Sequence, residues 1–424
     1  MLQQQTRPFI VKTQVFPPYA LERVDRWMSS VFDIDASIVN CSKQAFGNPV
    51  DDLNFHMGRR GQLLINTFLQ FANIPAFRTS KTIMFREDEE TPSILEYIIP
   101  LAVIERTQTK VYKIAVTSAF SIIQWMVKHE VTPEHRLELQ NIVEQKCRKP
   151  IRKFFSGGKT TLPLLKAAYE KNIPFIHLGS AEYVLGWGAK SRQMFISACD
   201  SDSAIGSKTA QNKVKTAQML DVFGLPSPDQ LVVSTKKAAL EAAKRLGGEV
   251  VVKPVDRDRG EGVTIGIRNT EHLSAAFDNA RKFSKGPVII EKEVPGVCHR
   301  LLISNGALLY AIKRNPISVV GNGKNIVKEL IHSLESVEKN KSSWLDPRRY
   351  PSDQYALAIM KNNGHSLDSK PKKGELVALR PFQSDAWGGT PEDVTSKVHA
   401  DNITIAIRAA KVFGLNNAGI DIIT

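Results

Sequence analysis

Lys253 leaves an apolar stretch and meets a charged, glycine-bearing loop, a pattern suited to holding a polyphosphate. The segment is GGEVVVKPVDRDRGEGVTIGI, residues 247–267. Val250, Val251 and Val252 are β-branched and apolar, as a buried strand requires, and Lys253-Pro254 closes the run. The loop from Asp256 to Gly262 includes Asp258 and carries Gly260 and Gly262, where backbone must approach something closely or take positive φ. Val263 to Ile267 then reads as a returning strand. An ammonium beside such a loop meets phosphate charge while backbone N–H groups cover the oxygens. An ordinary hairpin has the same pattern, so the segment alone leaves both readings open.

The elements that must position this loop lie on either side of it. Residues 212–228, NKVKTAQMLDVFGLPSP, read as an amphipathic helix with Lys213 in its first turn, ended by Gly224 and Pro226. TEHLSAAFDNARKF, 270–283, reads as a helix, and PVIIEKEVPG, 287–296, as an apolar strand ending in alternating charges and a Pro-Gly turn. Upstream, residues 1–155 mix helical periodicity (58–72) with strand-like runs (94–104) and form a first domain without a recognisable chemical constellation. Residues 156–205 read as an α/β unit: helix TLPLLKAAYEKN, strand IPFIHLG, then a loop rich in glycine and aromatics, YVLGWGAKSRQ. From 206 to 424 strands and helices alternate as a third part. SGGKTT at 156–161 imitates the end of a P-loop, but the first glycine of that motif would fall on Lys153, and KPIRKFF makes a poor buried strand. It reads instead as a loop whose threonine caps the helix from Leu162.

Length and composition bound the rest. The 424 residues, 42% hydrophobic, suffice for two or three packed domains. No apolar run approaches the roughly 20 residues that span a bilayer, and the N-terminus lacks a basic-then-apolar signal organisation. The four cysteines, Cys41, Cys147, Cys199 and Cys298, form no CxxC pair and read as reduced thiols of a cytoplasmic protein. The formal charge of +14 is dispersed, with clusters at 146–153 and 370–373 that interleave no aromatics. It reads as a general field favouring anionic ligands such as ATP. Nucleic acid is disfavoured as a partner, though a basic nucleic-acid-binding protein stands as an alternative class.

In order and interval these segments resemble the ATP-grasp superfamily, most of all the ATP-grasp portion of cyanophycin synthetases. EKEVPGVCHRLLISNGALLYAIKRNPISVVGNGKNIVKELI, 291–331, matches that family's region nearly end to end. The resemblance extends over about residues 158–424. It implies an α/β ATP-grasp fold, incomplete at its C-terminal end, behind a divergent α+β N-terminal domain. By resemblance Lys213 and Lys253 hold the α- and β-phosphates of ATP, with loop 256–262 (Asp258, Gly260, Gly262) as a lid over them. Glu291, Lys292 and Val294 form the hinge at adenine, and Asp421 of the GID triplet is a ligand for Mg2+. Arg300, Arg314 and Arg380 are the implied catalytic residues, stabilising an acylphosphate or tetrahedral intermediate. Gly388, Gly389 and Thr390 form the substrate loop. Taken singly, Lys213 reads as a solvated helix cation, Glu291 as a rim charge and Asp421 as a turn residue. His299 is given no role. The ordered set is what carries the resemblance.

The implied reaction is ATP-dependent joining of a carboxylate to an amine through an acylphosphate, on an amino acid or short peptide. A homo-oligomer is also implied. Several departures qualify it. The family's Glu-x-Asn strand follows the GID aspartate by about a dozen residues, whereas the sequence has three after Asp421. The expectation is therefore a fragment or a truncated product, with a non-catalytic nucleotide- or peptide-binding relative as the alternative. Cys298 stands where the family has an acidic residue, and a thiol is the weaker acceptor. Ala386-Trp387 replaces Ser-Thr beside the GGT loop, and DRDRGEG is more charged than the family's lid. The sequence shows no Mur-ligase-like half with its own P-loop, so the arginine-adding condensation, and with it cyanophycin synthesis, is not expected of this chain, while the Ala386-Trp387 change implies that the bound amino acid or peptide end is recognised differently.

Overall fold

The structure is a computed structural model that describes residues 4–36, 48–78, 83–88, 90–154, 160–257, 260–340, 350–380 and 390–424. The chain divides into two compact units, Met1–Asp200 with Lys339–Asp346, and Ser201–Glu338 with Pro347–Thr424. The residues read from sequence as a separate α/β unit thus fall almost entirely in the first.

The first unit runs β1 (Thr6–Gln14), α1 (Ala20–Phe32), α2 (Pro49–Phe71), β2 (Met84–Glu87), β3 (Ile94–Ala102), α3 (Thr109–Lys128) and α4 (Pro133–Val143). A π-helical turn at Glu144–Arg148 joins α4 to α5 (Lys149–Arg152). Then come α6 (Thr161–Glu170), β4 (Phe175–Gly179), β5 (Glu182–Leu185), β6 (Arg192–Phe195) and β7 (Ala198–Cys199). Strand β3 is the middle of an antiparallel sheet β1-β3-β2. Its apolar sequence ILEYIIPLA suits a strand paired on both edges. Gly58 and Gly61 let α2 lie directly on the rings of Tyr97 and Phe120, since a Cβ there would stand 2.7 and 2.5 Å from them. Residues β4 to β7 form a meander. The stretch YVLGWGAKSRQ is thus the end of β5 and the start of β6 around a connection that includes a 3-10 turn at Gly188–Lys190, with Gly186 and Gly188 at positive φ. The N-cap Thr160 makes no side-chain bond to α6, and the Thr161 hydroxyl donates to the Ile196 carbonyl at 3.2 Å.

The second unit opens with α7 (Ala204–Ala210), α8 (Lys213–Val222), β8 (Gln230–Val233), α9 (Lys236–Leu246), β9 (Val250–Pro254), β10 (Thr264–Ile267), α10 (Thr270–Phe283) and β11 (Val288–Lys292). Next are β12 (Cys298–Ser304), β13 (Ala307–Asn315), β14 (Ser318–Val320), α11 (Val327–Asn340), α12 (Gln354–Asn362) and β15 (Leu376–Ala378). The unit ends with β16 (Thr390–Asp393), α13 (Ala400–Val412) and β17 (Asn417–Ile423). Two four-stranded antiparallel sheets dominate, β10-β9-β11-β8 and β16-β13-β12-β17, with β14-β15 as a small ribbon. Helices α9 and α10 cover one face of the first sheet through Ala239, Ala242, Leu273, Ala276 and Phe277 against Val250, Val252, Val288 and Ile290. Helix α13 covers one face of the second through Ala406 and Ala410 against Leu301, Ile303 and Ala311. Each sheet thereby has one face not covered by these helices.

Helix α8 begins where its sequence says, because the Asn212 side chain accepts the Val214 and Lys215 N–H groups. It is not amphipathic: none of its residues is buried. The alternation of Val214, Met219 and Leu220 with polar residues does not gather into one stripe. Among the described residues no helix is long and apolar enough to cross a membrane, and Cys147 and Cys298 are free thiols.

Candidate functional site

On the sheet β10-β9-β11-β8, alternation along β9 turns Val250, Val252 and Pro254 into the core and leaves Lys253 on the other face. Lys253 pairs in register with Ile289, and Glu291 lies diagonally across from it on β11. The Lys253 ammonium reaches the Glu291 carboxylate at 2.6 Å, both groups largely sheltered from solvent. Glu291 is therefore a counter-ion for the strand-end lysine rather than a rim charge.

The loop after β9 is shaped by its glycines. Gly260 and Gly262 have φ of 79° and 68°. A Cβ on Gly262 would stand 2.9 Å from the Pro254 ring and 3.1 Å from Phe283. Lys213, the first residue of α8, donates to the Arg257 carbonyl at 2.5 Å, which ties that lysine to the same loop. Asp256 is held below the usual carboxylate range, first by the Ser284 hydroxyl and also by the cations Arg257 and Lys213. Asp258 lies outside the described residues. The structure thus brings together Lys213, Lys253, Gly260, Gly262 and Glu291.

The segment 291–294 is tied down at three points. The Lys292 N–H donates to the Asp229 carbonyl at 2.8 Å and the Glu293 N–H to the Glu249 carbonyl at 2.9 Å. The Glu293 carboxylate accepts the Gly266 N–H at 2.6 Å. The Lys292 N–H is therefore already used, while Val294 remains exposed at 39%. Sequence reading missed Glu293, whose partner lies on β10 and leaves no local mark.

Residues 293–297 lead to the second cluster, on the face of β16-β13-β12-β17 not covered by α13. Arg300 pairs in register with Asp421, and its Nη1 lies 3.0 Å from each carboxylate oxygen. Arg314 Nη1 lies 3.8 Å from the same carboxylate, and the Arg314 Nε is buried without a hydrogen-bond partner. Two guanidiniums surround one carboxylate, and Asp393, in register with Ile312 beside Arg300, adds a second carboxylate to the same face. Cys298 is on the same face, and its thiol is pushed up by burial and by Asp421 against the opposing pull of Arg314 and Arg300.

Gly419 belongs to this cluster, a role sequence reading did not find. It pairs with Leu302 and faces the same side. A Cβ on it would stand 2.4–2.6 Å from the Arg300 guanidinium atoms. Arg300 lies across the bare backbone of Gly419 to reach Asp421, and the GID triplet was the only sequence trace of that contact.

Arg380 stands apart in its bonding. It is 2% exposed, donating to the Asp353 carboxylate at 2.6 Å and to the Leu379 carbonyl at 3.0 Å. Asp353 in turn caps α12 by accepting the Ala356 N–H. Thr390 starts β16 opposite Asn315, one register step from Arg314. Gly388 and Gly389 lie outside the described residues. Asp421 is a hard oxygen donor of the kind magnesium accepts alongside phosphate oxygens and water. Among the described residues no group of three or more His, Cys, Asp or Glu gathers as a metal cluster.

No family model matches the chain. It is 30% identical over 338 residues to cyanophycin synthetase of Trichormus variabilis, a match covering 79% of the chain and 36% of that protein. It is 32% identical over 280 residues to cyanophycin synthetase of Geminocystis herdmanii, covering 65% of the chain and 32% of that protein. It is 29% identical over 231 residues to the bifunctional glutathione biosynthesis protein of Pasteurella multocida, over 52% of the chain and 30% of that protein. Among solved structures, the bifunctional glutathione synthetase from Pasteurella multocida aligns at TM-score 0.45 and 18% identity, over 85% of the chain and 62% of that one. The chain spans about a third of the length of the curated relatives it matches. It is related to the cyanophycin synthetases through most of its own length.

Proposed function

We propose that this chain joins a carboxylate to an amine at the expense of ATP, acting on an amino acid or short peptide. In this reading Lys213 and Lys253 are point charges for the α- and β-phosphates, and the loop carrying Gly260 and Gly262 closes over them. Lys292 through its carbonyl and Val294 through its N–H take the adenine edge. Asp421 holds magnesium, which neutralises phosphate charge when bound. The substrate carboxylate attacks the γ-phosphorus and ADP departs; the amine then attacks the acyl carbon, phosphate leaves and the amine loses its proton. Arg300 and Arg314 stabilise the charge that develops on the acyl oxygen and the transferring phosphoryl group. Thr390 and the glycines before it hold the substrate end.

The observation that carries this reading is the pair of basic clusters joined by residues 293–297: a strand-end lysine over a glycine loop, and two arginines around one carboxylate. Similarity to cyanophycin synthetases and to the glutathione biosynthesis protein supports the amide-forming class. The test is magnesium-dependent ADP release by the purified chain across a panel of amino acids and dipeptides, with Lys253→Ala as control. Stimulated release that falls at least about tenfold in the variant is expected, since the lysine makes charge-assisted contacts. ATP binding without turnover over the whole panel would overturn the ligase reading.

A further inference from the structure

The second sheet carries a cleft on the face opposite Arg300 and Asp421. Strand alternation places Ile422, His299, Lys313 and Glu392 in one row across β17, β12, β13 and β16 on that reverse face, each in register with the next. Helix α13 covers the apolar rows beside it, where Leu301, Ile303 and Ala311 meet Ala406 and Ala410. It stops short of the polar row, and a cleft of about 350 Å³ remains there. Lys397 and His399, from the turn before α13 and its first cap, form the opposite wall.

The chemistry of the walls is amphoteric. Lys313 makes no ion pair among the described residues, and Lys397 approaches Glu392 only at 4.0 Å. The His399 Nδ1 accepts the Asp401 N–H at 3.2 Å, which leaves its Nε2 as the donor. His299 lies with its Nδ1 2.9 Å from the Val297 carbonyl, so that nitrogen donates and Nε2 is left to accept. Donors Lys313, Lys397 and His399 thus stand with acceptors Glu392 and His299. The floor between them is apolar, from Leu301, Val394, Val398 and Ile422.

The geometry points to this cleft as a binding site for a free α-amino acid, separate from the front-face clusters. A simple anion would satisfy the lysines but be repelled by Glu392, and an apolar molecule would leave the Lys313 charge unanswered and the Lys397–Glu392 pair loose at 4.0 Å. A zwitterion with a small apolar side chain answers each: carboxylate to Lys313, Lys397 and His399, ammonium to Glu392 and His299, side chain on the floor. The site stands whether or not the front face turns over ATP.

Calorimetric titration of the whole chain with the standard amino acids, without nucleotide, tests the assignment. Wild type and Arg300→Met are expected to bind the same small apolar amino acid with equal affinity. Lys313→Met should bind it at least about tenfold more weakly, the loss of one charge-assisted contact. Glu392→Gln should reduce the preference for the amino acid over its deaminated carboxylate. Lys397→Met repeats the charge test should Lys313→Met not fold, as judged by circular dichroism. Absence of amino-acid binding, or binding lost in Arg300→Met and kept in both lysine variants, would overturn the site.

Discussion

Arg300 lies where a side chain at position 419 would stand. Its guanidinium atoms are 2.4–2.6 Å from the place of a Cβ on Gly419, yet that residue is in ordinary strand backbone, so alanine adds steric demand without torsional strain. The flexible end of Arg300 is what must give way, and with it the 3.0 Å contacts to Asp421. The pair is roughly half exposed, 39% and 48%, so its loss costs under about 1 kcal/mol of stability. A catalytic charge displaced by an ångström loses far more than a structural one, on the order of a hundredfold in rate. Gly419→Ala is therefore expected to melt close to wild type while its amino-acid-stimulated ADP release falls by about ten- to a hundredfold. Wild-type turnover in that variant would show that the position of Arg300 over Gly419 has no part in the chemistry.

Arg380 separates what an element needs from what a reaction needs. Its buried guanidinium bonds Asp353, which caps α12, and sits at the end of β15 beside a core of Ile317, Val319, Val377, Leu379 and Met360. Arg380→Met preserves volume but removes the bond that joins the strand end to the helix cap, a cost of about 1–3 kcal/mol. The variant should melt several degrees below wild type, while Arg300→Met melts near it but loses turnover. Lost turnover in Arg380→Met at an unchanged melting temperature would restore the catalytic role that the sequence implied. Local pattern was enough to find β9, β11 and α10, since Val250–Pro254, Val288–Lys292 and Thr270–Phe283 carry their own periodicity, and Asn269 caps the helix by accepting the His272 N–H. It was not enough for the contacts that depend on register. Lys253 meets Glu291 only because β9 and β11 pair with Ile289 opposite the lysine, and Glu293 meets Gly266 through a bulged β10. The helix α8 was legible from its end at Gly224 and Pro226, but the apolar face assigned to it was not there, because helical spacing gathers a stripe only when a core exists to receive it. The bonding of Arg380 was hidden for a similar reason: Asp353 lies 27 residues away, and no local pattern announces it.

At the scale of the whole molecule, the described apolar residues gather in separate clusters, one within Met1–Asp200 and three within the second unit. If the proposed nucleotide site is right, ATP binds the second unit alone and stabilises whatever opens with it. Two thiols report on the two units. Cys147 is fully buried in the first, its thiol pushed up to about 12 by burial, so at pH 8 only about one in ten thousand is thiolate and alkylation waits on opening. Cys298 is half-buried in the second, and its thiol too is raised, first by burial. In sub-denaturing urea, ATP with magnesium at about a hundred times its Kd contributes about 2.7 kcal/mol to the state that binds it. Alkylation of Cys298 is then expected to slow by about a hundredfold while that of Cys147 changes less than about twofold. Mass spectrometry of the two cysteine peptides over time reads both rates from one sample. Equal slowing at the two positions would mean that the units open together and that ligand binding in the second is felt throughout the first. Slowing at neither would mean that ATP does not engage the Lys253 and Arg300 clusters, and the nucleotide assignment would fall with it.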